Sequence, residues 1–283
     1  MLMGSYCALE FDDLYVIGSK SHVPDGIISM FQETDRQVIT KAPEEQDEEP
    51  EITYVYTALR ETILARLDIL GITSDRAESA FENWRRAEIE TYTEYGEGFE
   101  ETLEAIKSLS FEEWKKRVPT VLQNQFEERD NNFGDEIERH MFERDDGWLF
   151  FETSDERLML RAILDASANV KNVSIDITDL VVGGWLGPDT KLCAAARSLE
   201  NITRPMHEPI VILGEGSTDI HVLRTSLPIL FPHLVEYFAF FDHAELNVDG
   251  GVNYLVKFLQ AFGAARISSR MVAICLRRNA NAS

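Results

Sequence analysis

Positive charge is what this chain has least of: 27 lysines and arginines stand against 50 aspartates and glutamates, a formal net charge of −23 over 283 residues. A polyanion is ordinarily gripped through a lysine and arginine footprint, so the whole-chain charge opposes casual binding of nucleic acid. A local patch or a divalent metal has to overcome it; otherwise the charge is a solvated acidic surface. The three cysteines, Cys7, Cys193 and Cys275, are far apart and share no CxxC, which argues against a disulfide framework and a zinc site. Buried free thiols are expected instead. No apolar run approaches the roughly 20 residues of a membrane span, and the opening MLMGSYCALEF lacks a signal-peptide pattern. The expected compartment is the cytoplasm. Also missing are GK[ST] after a glycine-rich loop, GxGxxG, HExxH and GxSxG, which removes the commonest nucleotide, zinc-protease and hydrolase signatures.

What is present centres on Pro209 to Asp219, PIVILGEGSTD. Ile210 to Leu213 is a short β-branched apolar run bounded by Pro209 and Gly214, which predicts a buried strand. Gly214 and Gly216 flank a lone acid, so the chain turns sharply and Glu215 stands at the carboxyl end of that strand, where open α/β sheets place ligands. Ser217 is the expected N-cap of a following helix, and Asp219 lies four residues beyond Glu215, about one turn. Two carboxylates directed at one spot make an oxygen site for Mg²⁺. The plainer alternative stays open: an acid near a helix start is favoured by the macrodipole alone, and GEG is a turn.

The chain beyond this stretch alternates. Ile220 to Leu234 has helical spacing that Pro228 should end or kink. Val235 to Phe241 reads as a strand ending at Asp242. Gly250-Gly251 opens a helix with Leu255, Phe258, Leu259 and Phe262 on one face, and Arg270 to Leu276 reads as a third strand. Strand, helix, strand, helix, strand predicts a parallel sheet covered by helices.

Upstream, Tyr6 to Phe11 and Leu14 to Gly18 predict a hairpin turning at Asp12-Asp13, followed after Pro24 by an amphipathic run through Ile27, Ile28, Phe31 and Val38. Residues 43–51, PEEQDEEPE, carry six acids and no apolar side chain, which marks a solvated linker. A helical block is expected over 52–146: Ile52 to Leu70 closed by Gly71, a second helix from Ser74 through Trp84 and Ile89, a third after Gly98, a fourth at the capping box Ser110-x-x-Glu113, and a charged helix within 123–146. Trp148 to Phe151 reads as a short strand leading to Ser154 as cap of a helix from Asp155 to Ala166. Val173 to Ile177 alternates as a half-buried strand, Gly183 to Pro188 is a loop, and Leu192 to Leu199 is weakly helical. Asp176 and Asp179 are strand-end acids, ordinary turn chemistry more than ligands. His221, His233 and His243 are read as surface or core residues.

PIVILGEGSTD, the glycine pair in NVDGGVNYLVKFLQAF and the strand RMVAIC together resemble the Toprim domain of OLD-type nucleases. The wider chain, through MGSYCALEF, YVYTALRETILARLDILGIT and DERLMLRAILDASANVKNVSIDITDLV, resembles bacterial proteins with a HEPN/Toprim N-terminal domain. The resemblance implies an α+β protein: an N-terminal hairpin (1–40), acidic linker (43–51), helical block (52–146) and mixed segment (147–204), then a partial α/β Toprim-like domain (205–283) with a short parallel sheet. It makes Glu215 the glutamate that binds metal or moves a proton, and Asp219 the second acid of the same motif.

Relatives of this kind need an Asp-x-Asp at the end of the third strand. Here that place reads Cys275-Leu276-Arg277-Arg278-Asn279, and arginines repel Mg²⁺. The expectation is a truncated or frame-shifted product, or a pseudoenzyme. HEPN ribonucleases carry an arginine, then four to six residues, then a histidine; none of the six histidines here has an arginine at that distance upstream. The helical block is therefore expected to be a scaffold or a surface for a protein partner. The implied function is a Mg²⁺-dependent nuclease of DNA or RNA in bacterial defence; the alternative is a non-catalytic interaction or regulatory module with a degenerate Toprim-like domain.

Overall fold

Asp12 shows how the first sheet closes. In this computed structural model its carboxylate accepts the backbone N–H groups of Lys171 (2.7 Å) and Asn172 (2.9 Å), so a turn acid joins the first hairpin to a strand 160 positions later. The structure describes residues 5–12, 14–41, 50–124, 135–142, 149–203, 207–242, 251–267 and 269–275. The chain divides into two compact units, Met1–Ser198 and Leu199–Ser283.

The N-terminal unit is built on a five-stranded antiparallel sheet formed by β1 (Tyr6–Phe11), β2 (Leu14–Lys20), β3 (Arg36–Lys41), β4 (Glu51–Leu59) and β5 (Asn172–Asp176), in the order β2-β1-β5-β4-β3. The period of two works across it: Leu9 pairs with Ile175 and Ile175 with Tyr56, while Phe11 pairs with Val173 and Val173 with Ala58. All six are buried. Period-2 alternation thus becomes two apolar rows on one face. On the other face the Thr57 and Ser174 hydroxyls meet at 3.0 Å.

Helices α1 (Asp25–Ile28), α2 (Arg60–Ile69), α3 (Ser74–Tyr95), α4 (Glu100–Ser108), α5 (Phe111–Asn124), α6 (Glu136–Phe142), α7 (Glu156–Ala166), α8 (Thr178–Val182) and α9 (Leu192–Thr203) complete the described elements up to residue 203. α7 is the hub, touching α1, α2, α3 and α5. It is buried nearly all round, Leu158, Met159, Leu160, Ala162, Ile163 and Leu164 included, which suits a core helix. Arg161 on α7 binds Asp165 (3.0 Å), Asp68, the Ile72 carbonyl (3.2 Å) and the Ser74 hydroxyl (3.0 Å), tying the α2–α3 turn down. Phe81, Trp84, Phe111, Trp114 and Phe151 form one aromatic cluster with ring centroids 5.3–6.2 Å apart.

Several expectations are corrected here. Ile52 to Leu70 is helical only in its second half; ITYVYTAL is β4, because β-branched and aromatic residues pair between β3 and β5 and that outweighs the helical spacing. The run after Pro24 is a four-residue helix, then a 3-10 turn over Glu33–Asp35, and Val38 lies on strand β3. Leu149 to Phe151 form no strand, and Trp148 lies outside the described residues. Asp155, not Ser154, caps α7, accepting the Arg157 N–H. The capping box of α5 is half made: Ser110 Oγ accepts the Glu113 N–H at 3.2 Å, while the Glu113 carboxylate turns to Lys116 and Arg117. Of the acidic stretch 43–51, Glu51 opens β4 and residues 43–49 lie outside the described residues. Cys7 and Cys193 are buried free thiols as expected, but Cys275, just past an edge strand, is exposed.

The C-terminal unit holds β6 (Ile210–Gly214), α10 (Ser217–Leu230), a 3-10 segment Pro232–Tyr237, β7 (Phe238–Phe241), α11 (Val252–Ala264) and β8 (Met271–Ile274). The sheet is parallel in the order β7-β6-β8. Its helices take opposite faces: Phe241 stacks with Tyr254 and lies tilted against Phe258 of α11, while Ile212 and Phe240 look toward Leu223 and Leu227 of α10. The expected strand from Val235 is shortened to begin at Phe238, since Pro232 opens a 3-10 turn. Pro228 sits inside the last turn of α10, which stops two residues on.

Candidate functional site

The central strand β6 delivers the chain to the carboxyl edge of the parallel sheet at Gly214. There, a Cβ would meet the Ile220 side chain at 2.7 Å, so only glycine lets α10 start this close to the strand. Glu215 follows. Its N–H donates to the Ile274 carbonyl of β8 (3.2 Å), and its carbonyl accepts the Gly251 N–H at the start of α11 (3.0 Å). The backbone of the acid is thereby fixed from both sides, between two helix N-termini whose dipoles favour negative charge. Gly251 makes this approach at φ +101°, a conformation reserved for glycine.

Gly216, not Ser217, is the N-cap residue of α10, with extended backbone (φ −127°, ψ 145°). Asp219 is the third residue of the helix. Its carboxylate folds back over the cap: a Cβ on Gly216 would lie 3.6 Å from Asp219 Oδ2. Both Glu215 and Asp219 are half-buried. Among the described residues neither carboxylate is engaged by a hydrogen bond or an ion pair.

β7 ends at Phe241, which pairs with Leu213, so Asp242 follows it at the same edge of the sheet as Gly214. Sequence reading noted Asp242 only as a strand end; an acid directly after an apolar strand beside the glycine-flanked one was the available signal. Even so, no group of three or more His, Cys, Asp or Glu side chains able to hold a metal ion forms among the described residues. Glu215 and Asp219 remain the two acids expected as ligands, and an ion such as Mg²⁺, which keeps most of its water, needs only one or two carboxylates. Of the stretch at the place expected for an Asp-x-Asp, Cys275 is described and 276–283 lie outside the described residues.

The other candidates take structural roles. Asp176, one residue before the N-cap Ile177, accepts the Thr178 N–H at 2.7 Å, and Asp179 is an exposed first-turn residue of α8. His221 is exposed on α10, His233 stands edge-on to the Phe231 ring, and His243 lies outside the described residues. Burial pushes the Cys193 thiol up to about 12, helped by Glu33, so it is no nucleophile.

The family model described as HEPN/Toprim N-terminal domain 1 matches residues 3–200. No curated protein and no solved structure matches the chain. The antiparallel sheet, the helical block and the α7 hub fall within the matched residues, and residues 201–283 with the Glu215 edge fall outside them. By a match that covers more than half of its length, this chain belongs to the HEPN/Toprim N-terminal domain family.

Proposed function

We propose that this is a nuclease-like, nucleic-acid-processing protein of a bacterial defence type, in which the C-terminal unit is a Toprim-like module and Glu215 with Asp219 holds Mg²⁺. One observation carries the reading: an acid at the carboxyl end of the central parallel strand that has no partner among the described residues, with a second such acid in the first turn of the helix that follows. The family match supports a nuclease-associated role for the chain. When bound, the ion polarises a phosphodiester and makes its water a stronger nucleophile. The protein's own part is placement: the bonds from Glu215 to Ile274 and Gly251 fix the acid's backbone, and Asp219 lies over the cap of α10. A divalent cation held by Glu215 and Asp219 would also offset their charge toward a phosphate in a chain where lysines and arginines are few.

A second reading, a non-catalytic protein-interaction or regulatory module, is favoured by the finding that no group of three or more potential metal ligands forms among the described residues. One experiment separates them. Purified chain is titrated with Mg²⁺ and Mn²⁺ by calorimetry and assayed on DNA and RNA beside Glu215→Gln. Metal uptake and cleavage that both fall at least about tenfold in the variant are expected, the effect of losing one of two charged ligands. Equal cleavage by both proteins removes Glu215 from the mechanism; no uptake together with a stable protein partner in pull-down selects the second reading.

A further inference from the structure

Helix α3 outlasts the core it serves. Its buried side chains stop at Trp84, yet the helix runs on to Tyr95, about three further turns. Three aromatic residues stand where it ends and the chain turns into α4: Tyr92, Tyr95 and Phe99, with ring centroids 5.2–6.1 Å apart. Tyr95 is 61 % exposed and Phe99 40 %. The turn between them is set by Gly96 (φ +72°) and Gly98 (φ +100°), and the Glu100 carboxylate accepts the Gly98 N–H at 2.9 Å. The rings are thus presented to solvent as a group, beyond the last buried residue of the helix, as at an interaction site.

Local charge decides what can cover them. Residues 87–106 hold seven glutamates and no lysine or arginine. The cations that flank this stretch are taken: Arg85 pairs with Glu82 at 3.0 Å and Lys107 with Glu104 at 3.1 Å. Glu90, Glu94, Glu97 and Glu101 are exposed and, among the described residues, make no hydrogen bond or ion pair. An apolar or anionic surface laid over the rings would strip water from these carboxylates without pairing them, which is costly. A nucleic-acid backbone and an acidic copy of this stretch are turned away for that reason. A cationic surface gains twice, since its charges pair with the glutamates and its arginines or lysines lie against the faces of the rings. Because the rings touch one another, they enclose no cage for a single ammonium group. Several cations in sequence on an extended segment fit them better.

We propose that the α3–α4 turn is a docking site for an arginine- or lysine-rich segment of a partner protein, seated on Tyr95 and Phe99 and paired with Glu94 and Glu97. The probe is a fluorescein-labelled arginine-glycine repeat peptide of about twelve residues, added to the full chain and followed by anisotropy. Binding is expected, and it should weaken as NaCl is raised. It should be at least about fivefold weaker in Tyr95→Ser with Phe99→Ser, the effect of losing two exposed cation–π contacts. If that variant loses its circular dichroism, Glu94→Gln with Glu97→Gln takes its place and should weaken binding. Glu44→Gln with Glu45→Gln removes the same charge from the acidic stretch 43–51 and should not. No binding, full affinity in the serine variant, equal loss in the two glutamine pairs, or insensitivity to salt each overturns the proposal. So does preferential uptake of phosphatidylcholine vesicles at this turn, which would make the rings a membrane contact.

Discussion

Glu156 shows what a single buried acid does to this fold. Its carboxylate accepts the Ile27 N–H at 3.2 Å and lies against Gly26, where a Cβ would come within 2.7 Å of Oε1. Burial raises the Glu156 pKa above the ordinary glutamate value, with the hydrogen bonds from Ile27 and Gly26 opposing. The folded state therefore holds this proton more tightly than the unfolded chain, and the associated stability is present below the ordinary glutamate pKa and lost as pH rises through the raised one. Glu156→Gln keeps an acceptor oxygen without the charge. Its urea midpoint should gain on the wild type as pH rises from about 4 to about 7, the span over which a raised glutamate ionises. A difference that shrinks or reverses over that span would show that the acid is stabilised, not penalised, by its site.

Between elements, Arg66 of α2 is the clearest clamp. Its guanidinium is 1 % exposed and reaches Asp35 Oδ2 (2.6 Å) and the Met30 carbonyl (2.9 Å), while Asp35 also accepts the Gln32 N–H (2.8 Å). One helix thereby holds the irregular segment between α1 and β3, which has little regular hydrogen bonding of its own. Removing one partner of a buried pair leaves an uncompensated charge, so Asp35→Ala should cost about 3–5 kcal/mol in chemical denaturation. Arg66→Met in the same chain should recover part of that loss, since no buried cation is then left behind. Equal losses in the single and double variants would place the cost in the turn bonds of Asp35 instead of the stranded arginine.

For the whole molecule, like charge is the dominant long-range force, and it is concentrated in residues 1–198. Raising NaCl from about 50 mM to about 500 mM shortens the Debye length from roughly 14 Å to roughly 4 Å, and self-repulsion falls with it. The thermal midpoint should rise over that range. A falling midpoint would mean that ion pairs such as Arg161–Asp165 and Arg117–Glu113 contribute more than the repulsion around them. No helix among the described residues is long and apolar enough to cross a membrane.

The sequence by itself determined the local choices. Gly214 and Gly216 around Glu215 specify a turn whatever surrounds them, and β6, α10, α11 and β8 follow from apolar runs bounded by glycine and proline. Tertiary structure decided what local pattern left degenerate. ITYVYTAL has spacing for a helix and residues for a strand, and only the neighbours β3 and β5, supplied from before and 113 positions beyond it, make the strand win. At the sheet edge, spacing gave the turn between Glu215 and Asp219, but the bonds from Glu215 to Ile274 and Gly251, and the arrival of Asp242 alongside, exist only once three distant strands lie parallel. Dihedral preference acts over a few residues; strand pairing acts across the whole chain and can overrule it.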